Sequence, residues 1–168
     1  MTEITIILLI VVIDQITKYV VIKYLQPLKT FTILEGVFSL SYVENRGAAF
    51  GILQNQKLFL IIIPIIIVVS IIFYLVKHRR EEILTRVCLS VIVGGALGNL
   101  IDRITLGYVV DMFEATFIKF PVFNVADIAV VCGTIILSIQ LIFHEKPDIR
   151  NKESEDCKQK DDVSGETV

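Results

Sequence analysis

Apolar residues fall into four long blocks along this chain, at residues 4–25, 58–76, 87–101 and 125–143. A helix needs about 20 residues to cross the hydrocarbon core of a bilayer, at about 1.5 Å per residue. The first, second and fourth blocks have that length, and the third reaches it when extended back to residue 83. Four membrane-spanning helices are therefore predicted, over about residues 4–25, 58–76, 83–101 and 125–143. Between the first two the pattern changes period. Phe31 and Ile33 alternate with Thr30 and Thr32, and Phe38, Leu40 and Tyr42 alternate with Ser39 and Ser41, on either side of Glu35-Gly36. Two period-two runs around a glycine-containing turn predict a β-hairpin. One apolar face of it is available to the membrane or to a lipidic ligand. Asn45-Arg46-Gly47 then breaks the strand, and residues 48–53 are expected to form a short interfacial helix. The loop 102–124 contains Gly107, a short β-like run Tyr108-Val109-Val110, and Pro121, which suits the start of the fourth helix. From Glu145 on there are 5 basic and 8 acidic residues with almost nothing apolar, the mark of a solvated, largely disordered tail. The expected fold is a membrane all-α domain with a small β element over residues 1–145, followed by a polar tail, 146–168.

Composition agrees: 54% of the 168 residues are hydrophobic and the mean hydropathy is +0.72. The first block is expected to be a retained span rather than a signal peptide, because no Lys or Arg precedes it and no small-x-small site follows it. A net charge of −2 says little, but its distribution says more. Lys77, Arg79, Arg80 and Arg86 cluster between the second and third spans, and Lys146, Arg150, Lys152, Lys158 and Lys160 follow the fourth. Excess positive charge marks the cytoplasmic side. Both termini are then cytoplasmic, and the loops 26–57 and 102–124 face outward. Cys88 and Cys132 lie within spans and Cys157 in the tail, where no spacing suggests a disulfide or a metal site.

Polar residues inside apolar blocks are costly and need a reason. Asp14 and Lys18 are four apart on one helix face, which fits a structural ion pair or a role in shaping a site. Gly94, Gly95, Ala96 and Gly98 form a small-residue patch suited to close helix packing, which would hold Asn99 and Asp102 tightly. Asp102 and Arg103 fit a helix-end salt bridge, whereas Asn99, as a buried amide, needs partners. Asn124 and Asp127 share a face at the start of the fourth span, where Asn124 suits an N-cap and Asp127 a first-turn acid. Asp111 follows Val109-Val110 in the preceding loop. The two carboxylates Asp111 and Asp127 fall at the same membrane face, and two close carboxylates share a proton.

These residues form five ordered segments: Asp14-Gln15-Ile16-Thr17-Lys18; Asn45-Arg46-Gly47-Ala48-Ala49-Phe50-Gly51; Gly95-Ala96-Leu97-Gly98-Asn99-Leu100-Ile101-Asp102-Arg103; Gly107-Tyr108-Val109-Val110-Asp111; and Phe123-Asn124-Val125-Ala126-Asp127. Together, over about residues 10–135, they make the chain resemble lipoprotein signal peptidase, the bacterial signal peptidase II family. Met112 departs from the Phe usual there, and the tail is longer. The resemblance implies an intramembrane aspartyl endopeptidase in the bacterial cytoplasmic membrane, cutting prolipoproteins just before a diacylglyceryl-modified cysteine. By the same resemblance Asp111 and Asp127 are the catalytic dyad. Asp14, Lys18, Asn45, Arg46, Gly47, Asn99, Asp102, Arg103 and Asn124 bind substrate or support the site. Expected partners are diacylglyceryl-modified prolipoproteins, membrane lipids and globomycin-type inhibitors; no cofactor, metal or nucleic acid is expected.

The groups themselves suggest a mechanism. His78 and His144 flank spans on the cytoplasmic side, away from the aspartates, so the chemistry falls to carboxylate-activated water. The intramembrane Asp and Lys residues also fit a small proton- or ion-coupled transporter, although four spans without repeated halves are poor material for alternating access. A scaffold assembled through the glycine patch is the third reading.

Overall fold

The computed structural model describes residues 2–48, 52–54 and 56–143. Its backbone clusters into two compact units, Met1–Leu137 and Ser138–Val168. The first holds every candidate site residue. The second, in its described part, is the end of the last helix. The expected tail lies outside the described residues.

All four predicted spans are helices of spanning length. α1 is Thr2–Val20, prolonged by a π-helical turn over Val21–Leu25; α2 is Lys57–Lys77; α3 is Ile83–Thr105; and α4 is Val125–Phe143. α3 is the central one: 44% of its apolar window is buried, against 11–17% in the others. It packs on both α1 and α2. Its glycines explain how neighbours come so close. A Cβ on Gly94 would lie 2.9 Å from Ile10 of α1, and one on Gly95 would lie 2.4 Å from the Ala126 carbonyl of α4. Gly98 faces the Asp14 carboxylate in the same way, at 2.5 Å. The small-residue patch thus serves two partners from adjacent faces. Gly133, which the sequence pattern did not single out, does the same from α4 against Cys88 and Ile92.

The predicted hairpin is present. β1 (Thr30–Leu34) pairs antiparallel with β2 (Phe38–Asn45), with Thr30 opposite Ser41 and Phe31 opposite Leu40. Gly36 takes φ +72° in the turn, a conformation open to glycine. Phe31, Ile33 and Leu34 stay more than half exposed. Three expectations need correction. The strand continues through Asn45 and breaks at Arg46, one residue later than predicted. The segment 102–124 is not a loop from its start, because α3 runs on to Thr105 and carries Asp102 and Arg103 within the helix. Nor is Asp111 a loop residue. It is the third residue of a full strand, β3 (Val109–Ala115), which completes a sheet of order β1-β2-β3. Val109 stands opposite Asn45 and Asp111 opposite Val43. Of the interfacial helix expected over 48–53, residues 49–51 lie outside those described; at its edges the Ala48 N–H donates to the Ile52 carbonyl at 2.7 Å.

The sheet is fixed to the helices by an apolar cluster. Val110 and Met112 of β3 pack on Val21 and Leu25 of the π-helical turn, with Leu40, Tyr42 and Phe113 around them. Side chains alternate along a strand. With Val110 and Met112 committed to that cluster, Val109 and Asp111 take the other face, and Val109 lines the cavity described below.

Candidate active site

Asp111 and Asp127 reach the same point from two elements, a strand and a helix start, and Asn124 ties them together. The Asn124 amide donates to Asp111 Oδ1 at 2.6 Å, and its backbone N–H donates to Asp127 Oδ2 at 3.2 Å. In return Asn124 Oδ1 accepts the Asp127 N–H at 2.9 Å. The last two bonds form a capping box between the N-cap and the third helical residue. Asn124 is therefore the helix cap its position suggested and also the bridge between the two carboxylates. Asp127 is held as a first-turn acid and still points into the cavity.

The other two carboxylate oxygens are also fixed. Asn99 Nδ2 donates to Asp127 Oδ1 at 2.7 Å, and Asn45 Nδ2 donates to Asp111 Oδ2 at 2.9 Å. Neither amide is free to flip. Asn99 Oδ1 accepts both Lys18 Nζ at 2.9 Å and Asn124 Nδ2 at 3.1 Å, and Asn45 Oδ1 accepts the Gly47 N–H at 2.9 Å. Each carboxylate thus receives two hydrogen bonds in a setting shielded from water, with Asp111 only 1% exposed. Burial pushes the Asp111 carboxyl up to about 7, and the negative charge of Asp127 adds to this. Hydrogen bonds from Asn45 and Asn124 and the charge of Lys18 pull it partly back.

Beneath the pair lies a buried charge cluster. Lys18 Nζ is 2.9 Å from Asp14 and 3.0 Å from Asp102, so with Asn99 all three of its N–H donors are used. The helix-end salt bridge with Arg103 is one of the two readings that the sequence leaves open for Asp102. Asp102 pairs with Lys18 instead, because adjacent residues on a helix point about 100° apart. Its second role is to accept the Val110 N–H at 3.1 Å, which anchors β3. Arg103 turns to the carbonyls of Asn99 (3.5 Å) and Gly47 (3.4 Å), within electrostatic range of Asp127 and Asp111. Gln15, quoted in a motif but assigned no role from sequence, donates to Asp102 Oδ1 at 2.9 Å. Arg46 lies outside this network, paired with Glu44 at 3.1 Å.

Asp14 Oδ1 accepts the Ala126 N–H at 3.0 Å, one of the otherwise unpaired donors at the start of α4. Asp14 is fully buried. Asp14→Ala is expected to lower stability by about 3 kcal/mol or more, because it breaks a buried ion pair and orphans that N–H. Thermal unfolding in detergent measures it. An unchanged midpoint with lost activity would move Asp14 from support into the chemistry.

A cavity of about 560 Å³ opens beside the pair. Asn45, Asn99, Arg103 and Asp127 line its polar end, and Pro64, Ile67, Ile92, Ile128, Val130, Val131 and Phe123 line most of the rest. Its size and its largely apolar wall, with a few convergent polar groups, are those of a small-molecule or lipid site.

Residues 6–143 match the family model described as signal peptidase (SPase) II. The chain is 48% identical to the lipoprotein signal peptidase of Caldanaerobacter subterraneus subsp. tengcongensis, over 83% of this chain and 95% of that protein. It is 46% identical to the lipoprotein signal peptidase of Clostridioides difficile, over 86% of this chain and 97% of that one. A bacterial membrane enzyme structure determined by the in meso method at 2.3 Å superposes with a TM-score of 0.79 at 33% identity, covering 86% of this chain and 93% of that one. With four helices of spanning length, this makes the chain a multi-pass membrane protein.

Proposed function

The chain belongs to the signal peptidase II family, and we propose that it is an aspartyl endopeptidase that removes signal peptides from prolipoproteins, with Asp111 and Asp127 as its catalytic pair. One observation carries the aspartyl assignment: a buried carboxylate, Asp111, and a half-buried one, Asp127, bridged by a single residue, Asn124, at the polar end of an apolar cavity. Two such groups cannot both ionise cheaply, so they hold one proton between them near neutral pH.

Asp127 is the ionised member and Asp111 the protonated one in this reading. Asp127 sits in the first turn of α4, where exposed N–H groups favour negative charge by about 0.3–1 kcal/mol. The raised Asp111 carboxyl supports the complement. Asp127 takes a proton from water as the water attacks the scissile carbonyl. Asp111 donates to the developing oxyanion, and a proton then reaches the leaving amine. Arg103 steadies the net negative charge of the pair. The diacylglyceryl chains of the substrate enter the apolar cavity, where each buried CH₂ contributes about 0.8 kcal/mol, and hold the peptide bond before the modified cysteine at the carboxylates.

The orientation follows from charge. Arg86 lies in the first turn of α3 and Asp102 in its last, 16 residues away, or about 24 Å along the axis. With the basic α2–α3 connection in the cytoplasm, the carboxylate pair lies at the outer leaflet and both termini inside. Cleavage of a diacylglyceryl prolipoprotein by purified protein tests the function as a whole. Infrared difference spectra near pH 7 test the roles: the protonated-carboxyl band is expected to vanish in Asp111→Asn. Its survival there, with loss in Asp127→Asn, would reverse them.

A pH dependence follows. Asp111 holds its proton below about 7 and loses it above, so kcat/KM is expected to fall as pH rises through that region. The Asn45 hydrogen bond favours the charged form of Asp111. Asn45→Ala should therefore raise the Asp111 carboxyl further and move the alkaline limb to higher pH. A limb that stays put or moves down would remove Asp111 as the group that titrates.

A further inference from the structure

A second cavity, of about 170 Å³, adjoins the first and is lined by Asn45, Arg46, Lys57, Leu60, Arg103 and Tyr108, with Gly107 at its edge. Asn45 and Arg103 belong to both cavities. The two therefore meet beside the carboxylates, since Asn45 is the residue that donates to Asp111. Their chemistry differs. The larger is walled by aliphatic and aromatic side chains, whereas the smaller gathers three cations. Arg46 lies over the Tyr108 ring at 5.8 Å and pairs with Glu44 at 3.1 Å, and Arg103 lies within electrostatic range of Asp111 and Asp127. Lys57, the first residue of α2, is exposed and makes no ion pair among the described residues. Its Nζ reaches over Gly107, 3.6 Å from where a Cβ would stand. Gly107 has φ +87°, a conformation that favours glycine.

We propose that this cavity is the subsite for the mature side of the substrate and that it prefers an acidic side chain just after the lipid-modified cysteine. The proposal rests on the signal peptidase reading. In that substrate the segment before the scissile bond is apolar and the acyl chains are apolar, so both belong with the larger cavity and the bilayer. The mature polypeptide leaves towards water. The smaller cavity lies at the exposed end of β2 and the outer ends of α2 and α3, continuous with the reacting centre. An anionic group held there is within reach of the same substrate molecule, and that continuity favours substrate over a separate lipid head group.

The test uses the full chain, purified in phosphatidylcholine bicelles, and three lipidated substrates that differ only in having Asp, Asn or Lys after the cysteine. The expected order of kcat/KM is Asp above Asn above Lys. Asp and Lys should be separated about three- to tenfold, mainly in KM, as partly solvated charge pairs give, and the gap should narrow with added salt. Lys57→Gln should shrink it while leaving the Asn substrate unchanged, and Lys57→Glu should invert the order. Equal rates for the three substrates, or a preference that Lys57→Glu leaves intact, would overturn the proposal. So would phosphatidylglycerol raising all three rates alike in a Lys57-dependent way, which would give the cavity to an anionic lipid head group. Cleavage of the Asn substrate by the unmodified chain reports on the peptidase reading alone, so the two failures are distinguishable.

Discussion

Asp111→Asn and Asp127→Asn are each expected to cut the turnover of a lipidated prolipoprotein by about 10³-fold or more, in protein that still inserts and folds. Positioned acid–base groups contribute about 10²–10⁴-fold each, and here one proton serves both steps, so neither half works alone. Asn fills nearly the same volume and still accepts a hydrogen bond, from Asn45 or Asn124 at 111 and from Asn99 at 127. Packing around Val109, Val110 and Ala126 should survive. What Asn lacks is a carboxyl that gains and loses a proton near neutral pH. Single-turnover assays on purified variants, with thermal unfolding alongside, separate lost chemistry from lost structure. Substantial residual turnover in either variant would refute the pair.

Lys18→Met should produce the largest loss of stability, about 3–5 kcal/mol, the range for removing one partner from a buried ion cluster. Lys18 is 2% exposed and its three contacts all lie within 3.0 Å. Without it, Asp14 and Asp102 face each other as two buried anions with no cation. Asp14 is also tied to the start of α4 through the Ala126 N–H, and Asp102 to β3 through the Val110 N–H. The damage should therefore reach both elements that carry Asp111 and Asp127. Asn99 loses one of the two donors that fix its amide, so activity in the surviving fraction should fall as well. A thermal midpoint unchanged from that of the unmodified chain would show that the cluster does not hold α1, α3, α4 and the sheet together.

Much of this was legible in sequence because the membrane writes it plainly. Each span needs about 20 apolar residues, and each helix was found within a few residues of its observed ends. The hairpin showed through the alternation of Phe38, Leu40 and Tyr42 with Ser39 and Ser41. β3 was not legible as a strand of seven residues because Val109, Val110, Asp111 and Met112 are all buried. A strand covered on both faces loses its period-two signal and looks like any short apolar run. The partner of Asp102 was not legible for a different reason. Arg103 is its neighbour in the chain, but Lys18 arrives from another helix, 84 residues earlier, and no local pattern encodes that meeting. The glycines hinted at it, since Gly98 is what lets Asp14 approach α3. The roles of Asn124 were each visible alone, as a cap or as a site residue. Only the geometry of the capping box shows one side chain filling both.

The central claim is that this membrane peptidase uses Asp111 and Asp127 to cut beside a lipid-modified cysteine. Product masses test it most directly, for two otherwise identical prolipoproteins, one bearing diacylglyceryl on the cysteine and one bare. The expected result is a single cut in the lipidated substrate, yielding a fragment that begins with the modified cysteine, with far slower cleavage of the bare one and none in the Asp111→Asn/Asp127→Asn double variant. Equal cleavage of the two substrates, a cut elsewhere, or an unchanged product pattern from the double variant would contradict it.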